Sequence, residues 1–132
     1  MTLLKKFSHT RLRVSNMDDS VRFYETVLGM RVVERKTSQR GSHLVFFQMP
    51  GTEGELELCA FPASGKVAVP EDLVHLAFEV HDLNQCIELL KKSGAPITDG
   101  PTTTGTGTTF IFTEDPDKYE IELMQCREAK PR

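Results

Sequence analysis

Polar and apolar positions alternate along residues 7–14 and again along 74–81, the period of a half-buried strand. In the first stretch Leu12 and Val14 share one face, while His9, Arg11 and Arg13 share the other. The period then lengthens. Met17, Val21, Tyr24 and Leu28 recur at helical spacing, as do Leu83, Ile87 and Leu90. Asn16 and Asp82 stand just ahead, where a short side-chain oxygen accepts from the first unpaired N–H groups of a helix. Gly29 and Gly94 follow, the residue type that tolerates a left-handed conformation at a helix C-terminus. Three further strands are expected in each half, near 31–36, 43–49 and 54–61, then near 96–98, 107–113 and 119–125. Pro50-Gly51, Gly100-Pro101 and Asp115-Pro116-Asp117 mark turns.

The two halves are one pattern written twice. His9-Thr-Arg-Leu-Arg-Val-Ser-Asn-Met aligns with His75-Leu-Ala-Phe-Glu-Val-His-Asp-Leu, and Glu55-Leu-Glu-Leu-Cys aligns with Glu120-Ile-Glu-Leu-Met. One residue drops out of the second half where Val27-Leu28-Gly29-Met30 meets Lys92-Ser93-Gly94-Ala95. The expected class is α+β: two tandem βαβββ modules forming curved mixed sheets. Module one spans 5–61, a Pro- and Gly-containing linker 62–73, module two 74–126, and a charged, frayed tail 127–132. A four-stranded module alone exposes a sheet face, so the two are expected to pair around a shared cavity.

Composition narrows the function classes. The chain has 132 residues, enough for one domain, with the apolar and charged fractions of a folded globular protein. A net charge of −3 gives no electrostatic reason to expect nucleic acid or an anionic membrane as partner. No apolar run approaches the about 20 residues of a membrane span, and MTLLKKFSHT lacks the apolar core of a secretory signal. Cys59, Cys86 and Cys126 are odd in number and form no CxxC pair, as expected of thiols in a reducing cytoplasm.

Candidate chemistry enters with the repeat. A lone His or Glu on the polar face of a strand is ordinarily solvated. Here His9 and His75 begin equivalent strands, and Glu55, Glu57, Glu120 and Glu122 occupy equivalent places in the last strands. One His and one Glu from each half make a donor set for a divalent metal. Imidazole with carboxylate suits zinc, nickel, cobalt, iron or manganese, whereas calcium and magnesium favour all-oxygen shells. Two carboxylates neutralise the ion, and an octahedral ion keeps two positions open for water or substrate. Spacing leaves open which Glu of each pair is the ligand, because both lie on one strand face. His43 and His81 read as solvated.

The stretches His9-Thr-Arg-Leu-Arg-Val, Phe23-Tyr24-Glu25-Thr26-Val27-Leu28-Gly29-Met30, Leu56-Glu57-Leu58, Val74-His75-Leu76-Ala77 and Glu114-Asp115-Pro116-Asp117, leading to Ile121-Glu122-Leu123, resemble the vicinal-oxygen-chelate (glyoxalase–bleomycin-resistance) superfamily, and within it glyoxalase I. The resemblance implies metal ligands His9, Glu57, His75 and Glu122, since the family's carboxylate ligand directly precedes Leu. It implies a homodimer with each metal site at the interface, and nickel as the ion, with zinc or cobalt as alternatives. The implied reaction converts the hemithioacetal of methylglyoxal and glutathione to S-lactoylglutathione through an enediolate, with Glu122 as first base and Glu57 on the opposite face. Arg13 matches an arginine that binds the glutamyl carboxylate of glutathione. Cys59-Ala60-Phe61-Pro62 stands where the family usually has Thr-x-Asn-Trp, and Thr102-Thr103-Thr104-Gly105-Thr106-Gly107 lacks an expected lysine. The alternatives are an acyl-CoA epimerase of the methylmalonyl-CoA kind and a related enzyme using another thiol.

Overall fold

The computed structural model describes residues 2–127. The tail expected at 127–132 lies, from 128 onward, outside the described residues. The chain divides into two compact units between Ala68 and Val69.

The first unit contains β1 (His9–Arg13), α1 (Met17–Arg22), β2 (Val32–Thr37), β3 (His43–Gln48) and β4 (Glu55–Ala60). The second repeats the order with β5 (His75–Glu79), α2 (Leu83–Ser93), β6 (Ile97–Thr103), β7 (Thr109–Glu114) and β8 (Glu120–Gln125). Each unit is a four-stranded sheet, ordered β1-β4-β3-β2 and β5-β8-β7-β6. In each, the first strand runs parallel to the last and the other pairings are antiparallel. Both sheets are therefore mixed, and neither closes on itself, in agreement with the βαβββ pattern.

One face of each sheet is the core. In the first unit Leu12, Val14, Val45, Phe47, Leu56 and Leu58 are buried with Val21 and Tyr24 of the helical segment, whose Tyr24 ring lies 6.0 Å from Phe47. In the second, Ile111, Ile121 and Leu123 are buried along with Leu83 and Leu90 of α2. With strand side chains alternating between faces, this leaves the odd-numbered positions of β1, β4 and β5 and the even-numbered positions of β8 on the opposite face. That is the face of His9, Glu57, His75 and Glu122.

Both helices start as their caps dictate. Asn16 Oδ1 accepts from Asp19 N at 3.0 Å, and Asp82 Oδ1 from Gln85 N at 3.2 Å. Their ends differ. α2 stops at Gly94 in the left-handed conformation, with Ala95 N donating to Leu90 O. α1 instead runs into a π-helical turn, Phe23–Val27, where Leu28 N reaches back to Phe23 O and Met30 N to Tyr24 O. The residue by which the first half exceeds the second is thus absorbed by a wider turn before Gly29.

The turn expected at Gly100-Pro101 is a correction. These residues lie inside β6, which runs to Thr103 with register shifts against β7 between Ile97 and Asp99 and between Asp99 and Thr102. β6 is the edge of its sheet, where a residue without N–H is tolerated, and a bulge accepts glycine. Gly100 has φ +86°, and a Cβ there would stand 2.6 Å from the Phe110 carbonyl oxygen. Gly100→Ala is expected to cost at least about 1–2 kcal/mol, read as a lower denaturant midpoint; an unchanged midpoint would contradict this close approach.

None of the three cysteines forms a disulfide. Cys59 is buried, and burial together with Asp82 pushes the Cys86 thiol up, which favours its protonated form. Among the described residues no helix is long and apolar enough to cross a membrane.

Candidate metal centre

β1 and β4 are in register with His9 opposite Glu55 and Arg11 opposite Glu57. β5 and β8 repeat it, with His75 opposite Glu120 and Ala77 opposite Glu122. In both units the second Glu of the pair, Glu57 or Glu122, is therefore one pleat further along than the His, on the same face. Phe46 pairs with Glu57 and Phe112 with Glu122. Each Phe meets the neighbouring His edge-to-face, His9 against Phe46 with centroids 6.1 Å apart and His75 against Phe112 at 5.4 Å. Each imidazole thus has an equivalent aromatic neighbour in its own unit.

The two carboxylates have different surroundings. Glu57 is 3% exposed and accepts from Arg11 Nε at Oε1. That bond is the main cause raising the Arg11 guanidinium above its ordinary pKa, against the opposing effect of desolvation. Glu122 is more open, and its Oε1 lies 3.3 Å from His75 Nε2. The other members of the Glu pairs are less suited. Glu55 is only partly buried, and Glu120 Oε2 accepts from Asp72 N at 3.1 Å, fastening the segment before β5. The members of each Glu pair, equivalent in spacing, thus differ in burial and in partners.

Arg13 lies on the same face as His9, one pleat beyond Arg11 and opposite Cys59. Its Nη1 donates to Ser64 Oγ at 2.5 Å, which ties it to the 3-10 turn Pro62–Ser64. His43 and His81 are exposed. The hairpin rich in threonine satisfies its own hydroxyls, Thr103 with Thr109 and Thr104 with Thr106, each pair at 2.9 Å.

Arg11 and Ser8 are absent from the candidates that the sequence supplies. Ser8 Oγ lies 2.9 Å from His9 Nδ1. Their signal was present in the repeat: Ser8 and Arg11 match Val74 and Ala77, so polarity next to His and Glu occurs in the first half alone.

Among the described residues no group of three or more His, Cys, Asp or Glu is placed to hold a metal. Each unit supplies one imidazole and one carboxylate, half of a donor set whose chemistry fits a borderline divalent ion.

Residues 6–123 match the family model described as the glyoxalase/bleomycin resistance protein/dioxygenase superfamily. The chain is 36% identical over 122 residues to the lactoylglutathione lyase of Neisseria meningitidis serogroup A, covering 89% of this chain and 88% of that one. It is 32% identical over 126 residues to the probable lactoylglutathione lyase of Synechocystis sp., covering 92% and 96%. Among solved structures, the trypanothione-dependent glyoxalase I of Leishmania major superimposes with a TM-score of 0.78 at 30% identity, over 92% of this chain and 87% of that one. The repeated βαβββ unit, the paired His and Glu and these relatives agree: the chain belongs to the glyoxalase/bleomycin resistance protein/dioxygenase superfamily.

Proposed function

We propose that this protein is a lactoylglutathione lyase of the glyoxalase I type, in which one divalent ion is held by His9, Glu57, His75 and Glu122. The observation that carries the reading is the identical register of the two His–Glu pairs, His9 and Glu57 in one sheet and His75 and Glu122 in the other. It is joined by relatives that bear this activity in their names. Nickel is the ion we favour, with zinc or cobalt next, and glutathione is the thiol. The working form is a cytoplasmic homodimer, the first unit of one chain completing its site with the second unit of its partner.

A bound ion supplies Lewis-acid stabilisation of the negative charge that develops on two adjacent substrate oxygens. The protein's own groups do the rest. Glu122, the more accessible carboxylate, takes the proton from C1 of the hemithioacetal and returns it to C2. The electron pair of the C1–H bond moves between the carbons, and the hydroxyl proton passes from one oxygen to the other. The product is an isomer, so no oxidant is consumed. Arg13, which shares the strand face of His9 and donates to Ser64 Oγ, is the group we assign to a carboxylate of the thiol.

The test is thioester formation from methylglyoxal and glutathione by metal-stripped protein refilled separately with nickel, cobalt and zinc. Metal-dependent thioester is the expected result. Silence with every ion, while an acyl-CoA exchanges its α-proton with solvent, would replace the lyase with the epimerase.

A further inference from the structure

The two halves of the site differ in a way that the repeat makes plain. In the first unit, His9 of β1 and Glu57 of β4 each have a polar side-chain partner: Ser8 at His9 Nδ1, and Arg11 at Glu57 Oε1. On the first strand of the second unit the matching residues are Val74 and Ala77, neither of which has a side-chain polar atom. There, among the described residues, the imidazole and the carboxylate have each other as polar side-chain partners, His75 Nε2 against Glu122 Oε1.

We infer that Ser8 and Arg11 are positioning residues that make the first unit the pre-organised half of the metal site, the half that captures the ion. The inference rests on the four-ligand reading above. Arg11 engages Glu57 through a single oxygen, Oε1, and leaves Oε2 as the donor for a cation. Glu57 is 3% exposed, so without that neighbour it would be a buried carboxylate lacking a hydrogen bond. The Arg11 side chain itself is more than half exposed, which keeps its own desolvation small. Ser8 occupies Nδ1 of His9, which leaves Nε2 as the ligating nitrogen and holds the ring in one orientation against Phe46. In the second unit an ion would instead insert between an imidazole and a carboxylate 3.3 Å apart, and among the described residues neither has a further polar side-chain partner, His75 resting only against the Phe112 ring. Ligand position is thus set in advance on one side and by the ion on the other.

The experiment measures nickel affinity of the full-length protein by competition with a chromophoric chelator, alongside the visible spectrum of the cobalt-loaded form. Arg11→Ala is expected to weaken nickel binding by about 10–100-fold, the usual effect of removing an outer partner of a metal ligand. Ser8→Ala is expected to weaken it by a smaller factor, Arg11→Lys to recover some of the loss, and Val74→Ala to change nothing. The cobalt bands should shift in Arg11→Ala and Ser8→Ala. Thermal unfolding of the metal-free variants reports whether each is folded, and Ser8→Ala and Arg11→Lys keep the question open to measurement should Arg11→Ala not fold. Unchanged or tighter binding in folded Arg11→Ala would overturn the inference, because Arg11 would then be idle or a competitor of the ion. If His9→Ala and Glu57→Gln lose nickel while Arg11→Ala and Ser8→Ala do not, the four-ligand site stands and the positioning role falls. If His9→Ala and Glu57→Gln also bind nickel as the unaltered chain does, both fall.

Discussion

Glu122→Gln is expected to abolish most turnover, by about 10²–10⁴-fold, while leaving the protein folded and much of its metal in place. The substitution is nearly isosteric and keeps an oxygen donor, so the loss falls on proton transfer. Glu122 is the carboxylate suited to that task. It is the more accessible of the two, and among the described residues it has no guanidinium partner of the kind that Arg11 provides to Glu57. Glu57→Gln differs in kind: it removes the negative charge from a buried, charge-assisted hydrogen bond and should show first in metal affinity. Steady-state kinetics with metal content measured on the same sample separates the two. Full turnover in Glu122→Gln would remove it as the base.

His9→Ala and His75→Ala are each expected to lose metal, and with it nearly all activity, because each removes one of the two imidazoles. The informative result is their mixture. If each site takes one half from each chain of a homodimer, a mixed dimer of the two variants has one site with both imidazoles and one with neither. Activity should then return on mixing two inactive proteins, once subunits have exchanged. No recovery after demonstrated exchange would contradict the shared arrangement. Metal retained in either single variant at its original affinity would exclude that histidine as a ligand.

Much of the fold was legible because the chain states it twice. Alternation at His9–Arg13 and His75–Glu79, the caps Asn16 and Asp82, and Gly29 and Gly94 are local signals, and each recurs in its repeat. Two features were not legible. The π turn at Phe23–Val27 shows in sequence only as one surplus residue, and nothing local says whether a loop or a helix absorbs it. Gly100-Pro101 has the composition of a turn, and only the edge position of β6 lets it remain in a strand. In the site, His9, His75 and the Glu pairs follow from the repeat, but the distinction within each pair depends on burial. Glu57 is enclosed where Glu55 is not, and Glu120 is already engaged by Asp72. The pairing of Arg11 with Glu57 depends on the register of two strands far apart in sequence. The break in the repeat, Arg11 against Ala77, was its one visible trace.

The most direct measurement of the shared centre is X-ray absorption on the nickel-loaded protein. One ion bound by His9, Glu57, His75 and Glu122 predicts a shell of oxygen and nitrogen neighbours only, with the outer scattering of two imidazoles per nickel. A single imidazole per ion, or a sulfur neighbour from Cys59 on the same sheet face, would show that the two His–Glu pairs do not meet on one metal.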